Sequence, residues 1–192
     1  MIMLGALLAL GGLMQQQPAA HCAYDRAAML ALDEKQFDQD IAGGWRLLAS
    51  SGCDAEGADL IRLWREAHEN TAGILYWHEG QLRAKSGQTK AAISLFERSR
   101  RTPAEDAGFG WNLYVDGTIA FLRNDRQAAE TARNQLASLP RPPSFSPVGP
   151  DGKPMMVAWP PNLNVLDGFL SCWGRPYKEA YSCTRPISVP HP

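Results

Sequence analysis

The chain has 192 residues, of which 45% are apolar and 20% are charged, and its formal net charge is −1. This composition is typical of one folded domain with a tail, and it excludes general disorder. The 19 basic and 20 acidic residues nearly balance, which disfavours nucleic acid or an anionic membrane as the partner because both attract basic proteins.

The N-terminal fourteen residues, 1–14, contain no charged side chain. Such a run is shorter than the ~20 residues that span a bilayer, and it is typical of the apolar region of a secretory signal. A polar stretch and small residues follow, including Ala19 and Ala20. We therefore predict that residues 1–20 are a signal peptide, although the first basic residue is Arg26. The alternative is a buried first helix.

A short leading helix is predicted over residues 24–34, followed by a loose helical hairpin over residues 37–67. The hairpin has its turn at Gly52, and Asp54 is a plausible N-cap for a helix over residues 55–66. Apolar side chains recur at helical spacing in both halves of the hairpin: Phe37, Ile41, Trp45 and Leu48, then Leu60, Ile61 and Trp64.

Two segments align at an offset of 37 residues, residues 74–103 and residues 111–140. Gly87 of the first matches Asn124 of the second, and both residue types tolerate the left-handed conformation that ends a helix. The segments also share a glycine, a pair of alanines and a final proline: Gly80 with Gly117, Ala91 and Ala92 with Ala128 and Ala129, Pro103 with Pro140. The whole set at one offset predicts two repeated helical hairpins.

This pattern resembles the tetratricopeptide repeat, in which small residues let two antiparallel helices approach and a large apolar residue fills the remaining gap. The matching positions in the first copy are Gly80, Gly87, Ala92, Phe96 and Pro103. The resemblance covers roughly residues 37–140. It implies an all-α fold, a right-handed α-α superhelix of about three helical hairpins within residues 21–140.

The second copy departs from the repeat pattern, since Arg133 stands where Phe96 stands in the first copy. We therefore expect its second helix to pack through smaller apolar residues, Ala129, Ala132 and Leu136.

Eight of the fourteen prolines lie in residues 140–161. Proline excludes regular helix, so we predict an extended connector over residues 141–161. An amphipathic segment then predicts a capping helix over residues 162–173, within a unit of capping helix and disulfide loop that ends at residue 183. Residues 184–192 are predicted to be a disordered tail.

Two strings of residues, 77–81 and 174–181, resemble a family of uncharacterised exported bacterial proteins. That family has no assigned activity, so this resemblance implies export and no particular chemistry.

The chain contains four cysteines, Cys22, Cys53, Cys172 and Cys183. An even number of cysteines beside an export signal indicates disulfides, and three pairings are possible. We favour Cys172–Cys183, which closes a short loop, and Cys22–Cys53, which joins the N-terminus left after signal removal to the first hairpin. The alternative is four buried free thiols in a cytosolic protein. None of the cysteines has metal-site spacing, and we predict neither a metal nor a cofactor.

In tetratricopeptide-like arrays the first helix of each hairpin lines a concave groove that accepts peptides. The resemblance places eight residues of this chain in the groove: Gln39, Arg46, Trp77, Gln81, Lys85, Trp111, Tyr114 and Thr118. Their mixture of aromatic and polar groups suits an extended peptide or protein segment. The alternative is that the aromatic groups pack between hairpins, or that the connector or capping helix fills the groove.

No catalytic motif is complete. His78 and Glu79 lack the second histidine of a zinc-protease helix, because residue 82 is leucine. Glu79 and Asp116 occupy equivalent repeat positions and could form an acid/base pair. We expect them instead to form ion pairs, for example between Glu79 and Arg83.

These patterns together predict a periplasmic or secreted protein that has no membrane span after signal removal. We predict that it binds a protein or peptide partner without catalysis of its own. The alternative is an envelope enzyme, hydrolase-like, that uses His78, Glu79 and Asp116. A further alternative is a structural subunit whose groove is filled by its own C-terminal segment.

Overall fold

The computed structural model describes residues 20–143, 145–149 and 152–183. Across these ranges the protein is all-helical, as predicted, and its only β-type pairing is an isolated bridge between Val148 and Pro154. The predicted tail at 184–192 and the predicted signal peptide, apart from Ala20, lie outside the described residues.

The N-terminal part consists of short helices followed by one long helix. Helices α1, Arg26–Leu30, and α2, Arg46–Ser50, flank a π-helical turn at Lys35–Gln39. The longer helix α3 spans Asp54–Ala67, so the leading helix is shorter than predicted and Asp54 is the first residue of α3 rather than its cap.

The first half of the predicted loose hairpin is interrupted before α2. Gly44 has a φ of +52°, and a methyl group at its Cα would lie against the backbone carbonyl of Phe37. Only glycine tolerates this conformation at such a close approach. The chain therefore folds back here instead of continuing as one helix.

The two repeats form the helical hairpins that the 37-residue offset predicts. Helix α4, Gly73–Lys85, pairs with α5, Thr89–Arg98. After a short helix α6, Pro103–Asp106, helix α7, Trp111–Leu122, pairs with α8, Arg126–Ala137. The turns contain Gly87 at φ +77° and Asn124 at φ +56°, so the predicted left-handed turn residues are confirmed.

The capping segment contains two helices, α9 at Leu163–Ser171 and α10 at Tyr177–Tyr181. Helix α9 packs against α7 and α8, whereas α10 packs against α9 and α4. The described residues of the connector contain no helix, as their prolines predict.

The small residues of the repeats lie where helices approach closely. A methyl group at Gly80 would lie 2.7 Å from the Phe96 ring, and one at Gly117 would lie 2.7 Å from Leu166 of α9. The second hairpin therefore packs its glycine against the capping helix. Helix α8 buries the three apolar residues expected to replace the missing phenylalanine contact, Ala129, Ala132 and Leu136.

Both favoured disulfides are present, Cys22–Cys53 and Cys172–Cys183, and the described residues include no free cysteine. The first joins the start of the described chain to α3, and the second closes the segment that carries α10. Two disulfides indicate an oxidising compartment outside the cytoplasm.

Candidate functional site

Three of the eight predicted groove residues are buried, namely Trp77, Tyr114 and Thr118. The Trp77 ring lies between other aromatic rings, 4.5 Å from Phe96, 4.9 Å from Trp111 and 4.7 Å from Tyr114 between centroids. These side chains pack inside the protein. They are therefore not available as an open binding surface.

Two more predicted groove residues, Gln81 and Lys85, are covered by α10. Gln81 Nε2 donates a hydrogen bond of 3.2 Å to the Tyr181 hydroxyl, and Lys85 Nζ lies 5.6 Å from the centre of the same ring. Lys178 of α10 also forms an ion pair of 2.8 Å with Asp54 at the start of α3. The C-terminal segment of the chain therefore occupies this face of α4.

Three groove residues remain. Trp111 is partly buried, and its Nε1 donates a hydrogen bond of 2.8 Å to the Ser99 carbonyl. Gln39 and Arg46 lie beside a buried carboxylate, Asp38. Its carboxylate accepts hydrogen bonds from Gln39 Nε2 at 2.6 Å, Trp45 Nε1 at 2.9 Å and His78 Nδ1 at 2.8 Å. Arg46 donates to the Asp38 backbone carbonyl and forms an ion pair with its carboxylate. The eight residues thus do not form one open groove.

The pKa of Asp38 reflects opposing effects. Burial alone would raise it, but hydrogen bonds from His78 and Trp45, with the charges of His78 and Arg46, hold this pKa below its ordinary value. The ionised group connects the N-terminal segment to α4.

The two acidic residues of the enzymatic alternative have separate partners. Glu79 is buried and lies 2.5 Å from Arg65 and 3.5 Å from Arg83, which confirms the predicted ion pair with Arg83. Asp116 is exposed and pairs with Arg100 at 2.7 Å. His78 is hydrogen-bonded to the buried carboxylate of Asp38. The side chains of His78, Glu79 and Asp116 therefore do not converge on a common reacting position.

An open cleft of about 780 Å³ lies between α3, α4 and α5. We call it the arginine cleft because its lining includes four arginines around one tyrosine: Arg62, Arg65, Arg83 and Arg98 around Tyr76, with Glu66, Glu69 and Glu79 on the walls. The helical period places residues 76, 79 and 83 on the side of α4 opposite residues 77, 81 and 85. The arginine cleft therefore faces away from the surface that α10 covers.

Tyr76 is held between two guanidinium groups in the cleft. The Cζ atoms of Arg65 and Arg98 each lie 4.0 Å from the centre of its ring, and Arg98 donates a hydrogen bond of 2.5 Å to its hydroxyl. Stacking of guanidinium planes on an aromatic ring is favourable and fixes their orientation.

The arginines of the cleft differ in how their charges are balanced. Arg65 pairs with Glu79, and Arg83 also reaches Asp59 at 2.6 Å. Arg62 pairs with the carboxylate one turn later on α3. Within the described ranges, Arg98 has no acidic partner, and the buried Nε of Arg65 has no hydrogen-bond acceptor. The cleft thus retains an unbalanced cation at its exposed end.

This cleft cannot be predicted from the sequence alone. The spacing of Tyr76, Glu79 and Arg83 at i, i+3 and i+7 puts them on one face of α4. This spacing indicates a polar face on α4. Only the packing of α3 and α5 beside α4 shows which arginines of those two helices line the same cleft.

One group of possible metal ligands lies together among the described residues: His21, Cys22 and Cys53. The two sulfurs are bonded to each other, so they are not thiolates in this state. None of the described helices is long and apolar enough to cross a membrane.

Comparison of the chain with models of protein families, with curated proteins and with solved structures gives no match.

Proposed function

We propose that this chain is an exported helical-repeat protein that binds a protein or peptide partner and performs no catalysis of its own. The proposed location is the periplasm or the extracellular medium. In this proposal the hairpins stack as a tetratricopeptide-like right-handed superhelix, with residues 162–183 as the cap. The repeated sequence and the paired helices α4–α5 and α7–α8 support the stacking, and the two disulfides fit an oxidising compartment.

The observation that carries the proposal is the open arginine cleft on the uncovered side of α4. Clefts of this size that combine aromatic and polar groups are common ligand sites. The opposite side of α4 is already occupied by α10 through Gln81 and Tyr181. We therefore propose that the partner binds in this cleft and not in the predicted concave groove.

Binding, rather than catalysis, is favoured by how the carboxylates are held. Glu79 in the cleft is neutralised by two arginines, and Asp116 is paired on the surface. Both carboxylates are therefore already engaged in separate ion pairs, and they do not face a common position where a substrate could react.

A matched pair of alanines allows a direct test. Ala91 is exposed in the arginine cleft, whereas Ala137 is exposed on α8 outside it. A photo-crosslinking amino acid at each position, in the native host, should give a specific covalent adduct from position 91 and none from position 137. Equal adducts from both positions, or no adduct from position 91 in a folded protein, would contradict the proposal.

A further inference from the structure

We propose that the arginine cleft recognises a single aspartate or glutamate carboxylate in a peptide segment of the partner, and that Arg98 binds this carboxylate. This inference rests on the proposed function, because it names the chemistry of the partner at the same cleft. The side chain that carries it is the one arginine of the lining without an acidic partner within the described ranges.

Arg98 is exposed but already oriented. Its guanidinium stacks on the Tyr76 ring at 4.0 Å and donates one hydrogen bond, at 2.5 Å, to the Tyr76 hydroxyl. A guanidinium has five N–H donors in a fixed planar arrangement, so several donors remain for a ligand. Two parallel N–H donors match the two oxygens of a carboxylate, and holding the side chain in advance reduces the entropy lost on binding.

A second guanidinium lies against the same tyrosine ring. Arg65 lies on the other face of the Tyr76 ring, with its charge only 4.0 Å from the ring centre. Its carboxylate partner, Glu79, is shared with Arg83. The tyrosine is thus flanked by cations on both faces, which favours an anion at the exposed edge of the stack.

The remaining charges limit how acidic the ligand can be. Glu66 and Glu69 lie on the α3 wall, so the four arginines and three glutamates of the lining carry a net charge of +1. Asp59, which pairs with Arg83 from beside the cleft, brings the whole group to neutrality. A phosphate dianion or a run of acidic residues would be repelled by Glu66 and Glu69. One carboxylate matches the single unbalanced guanidinium.

The other polar groups of the cleft suit a peptide backbone. The hydroxyl groups of Thr71 and Ser94 are exposed in the lining. Each can donate one hydrogen bond and accept others, as the amides and carbonyls of an extended segment require. The apolar side chain of Leu95 lies beside them in the same lining. The cleft therefore offers contacts along a chain as well as to a charge.

The test is a titration of the full mature protein with short peptides, followed by backbone amide NMR shifts. The probe is an acetylated and amidated hexapeptide of alanine and serine with one central glutamate. Its controls are the same peptide with glutamine and inorganic phosphate alone. We expect the glutamate peptide to shift amides of α5 around residues 94–98. The glutamine peptide should bind at least about tenfold more weakly, as the loss of a charge-assisted contact implies.

Three variants define the role of the side chain. Arg98→Gln should weaken the glutamate peptide about tenfold and abolish the difference between the two peptides. Arg98→Lys keeps the charge and loses the planar pair of donors, so we expect an intermediate affinity. Arg123→Gln removes an exposed arginine on the other hairpin, outside the cleft lining, and should bind like wild type.

The inference is overturned if the two peptides bind equally, if phosphate shifts the same amides as strongly, or if Arg98→Gln binds like wild type. These results are separate from the crosslinking test of the proposed function. A specific adduct at position 91 with no preference for the glutamate peptide would retain the binding function and reject the carboxylate. If position 91 gives no specific adduct and the protein shows no preference for the glutamate peptide, both proposals are rejected.

Discussion

Arg133 of α8 donates a hydrogen bond of 2.7 Å from Nε to Asp167 Oδ1 of α9. In the first hairpin the equivalent position holds Phe96, which packs against the repeat glycine of its own hairpin. In the second hairpin the residue before Asp167, Leu166, takes that place against Gly117. The capping helix therefore supplies both the apolar group that the second repeat lacks and an ion-pair partner for the arginine that replaced it.

The contact between Gly117 and Leu166 predicts a non-additive pair of substitutions. Leu166→Ala should lower the free energy of unfolding by about 2–4 kcal/mol, because it leaves a cavity in the core. Gly117→Ala should cost about 1–3 kcal/mol by overpacking. In the double variant the new methyl group enters the space left by leucine, so we expect the total to fall short of the sum by about 1 kcal/mol or more.

Urea unfolding of the wild type, the two single variants and the double variant measures the coupling free energy between positions 117 and 166. Arg133→Ala is the control at the same interface. Its side chain and that of Asp167 are 31% and 45% exposed, so we expect a loss of about 1 kcal/mol or less. Strict additivity of the two core substitutions would show that α9 does not pack on the glycine.

Glu79 and Asp116 occupy equivalent repeat positions but have opposite surroundings. Glu79→Gln leaves the buried Arg65 without its carboxylate, and we expect a loss of about 3 kcal/mol in the free energy of unfolding. Asp116→Asn removes an exposed pair and should change it by about 1 kcal/mol or less. Chemical denaturation of both variants checks the contrast, and similar losses would show that the Glu79 pair is not buried in solution.

Two substitutions of Tyr177 distinguish the stability that its ring contributes by packing from the effect of burying its hydroxyl. The ring lies against Phe169 and Tyr181 of the cap, at 5.3 and 5.7 Å between centroids. Its hydroxyl makes no hydrogen bond of normal geometry with the described residues, and burial raises the pKa of this phenol well above its ordinary value. Tyr177→Phe should therefore be neutral or stabilising by about 1 kcal/mol.

The matched variant Tyr177→Ala should cost about 3–5 kcal/mol, because the ring itself is lost. Thermal or urea unfolding distinguishes the two. A large loss from Tyr177→Phe would indicate that the hydroxyl is hydrogen-bonded in solution, for which the Gln81 side chain is the nearby candidate.

The two disulfides should differ in their contribution to stability. Their sequence separations are 31 residues for Cys22–Cys53 and 11 for Cys172–Cys183. The chain-entropy model assigns about 3.7 and 2.8 kcal/mol to loops of these lengths. Replacing each pair by serines and measuring urea unfolding should rank them in this order. The reverse order would require native contacts, rather than loop length, to dominate.

The Asp38 cluster predicts a specific dependence on pH. Since the folded-state pKa lies below the ordinary value of 3.8, the stabilisation is complete above that pH and is lost as pH falls through the folded pKa. Asp38→Asn should therefore be less stable than wild type at pH 7, and the difference should narrow below about pH 3.8. A difference that stays constant from pH 7 to acid would show that this carboxylate does not titrate with a lowered pKa.

Local patterns predicted the hairpins because each depends on residues close in sequence. Gly87 and Asn124 end helices through their own backbone preferences, so their turns could be placed from the repeat offset alone. The break before α2 cannot be predicted in this way, because it depends on the close approach of Gly44 to the backbone carbonyl of Phe37.

The site was less predictable because it depends on which helices become neighbours. Trp77 and Tyr114 have the composition of a binding surface, but α10 arrives from about 100 residues later in the chain and covers Gln81. The arginine cleft likewise needs Arg65 of α3 and Arg98 of α5 to meet across Tyr76. Periodicity places a residue on a face, whereas packing decides what that face meets.

In our proposal the cap belongs to the folded repeat unit and covers the side of α4 that carries Gln81, which leaves the arginine cleft as the binding surface. This proposal is tested most directly by comparing hydrogen exchange and solubility of the mature protein with a form that ends at residue 161. We predict that the shorter form loses protection in α7, exposes the apolar surface around Phe121 and aggregates. A soluble, monomeric short form with wild-type protection in α7 would show that the cap is not part of the folded repeat unit, and the predicted groove would again be the candidate binding surface.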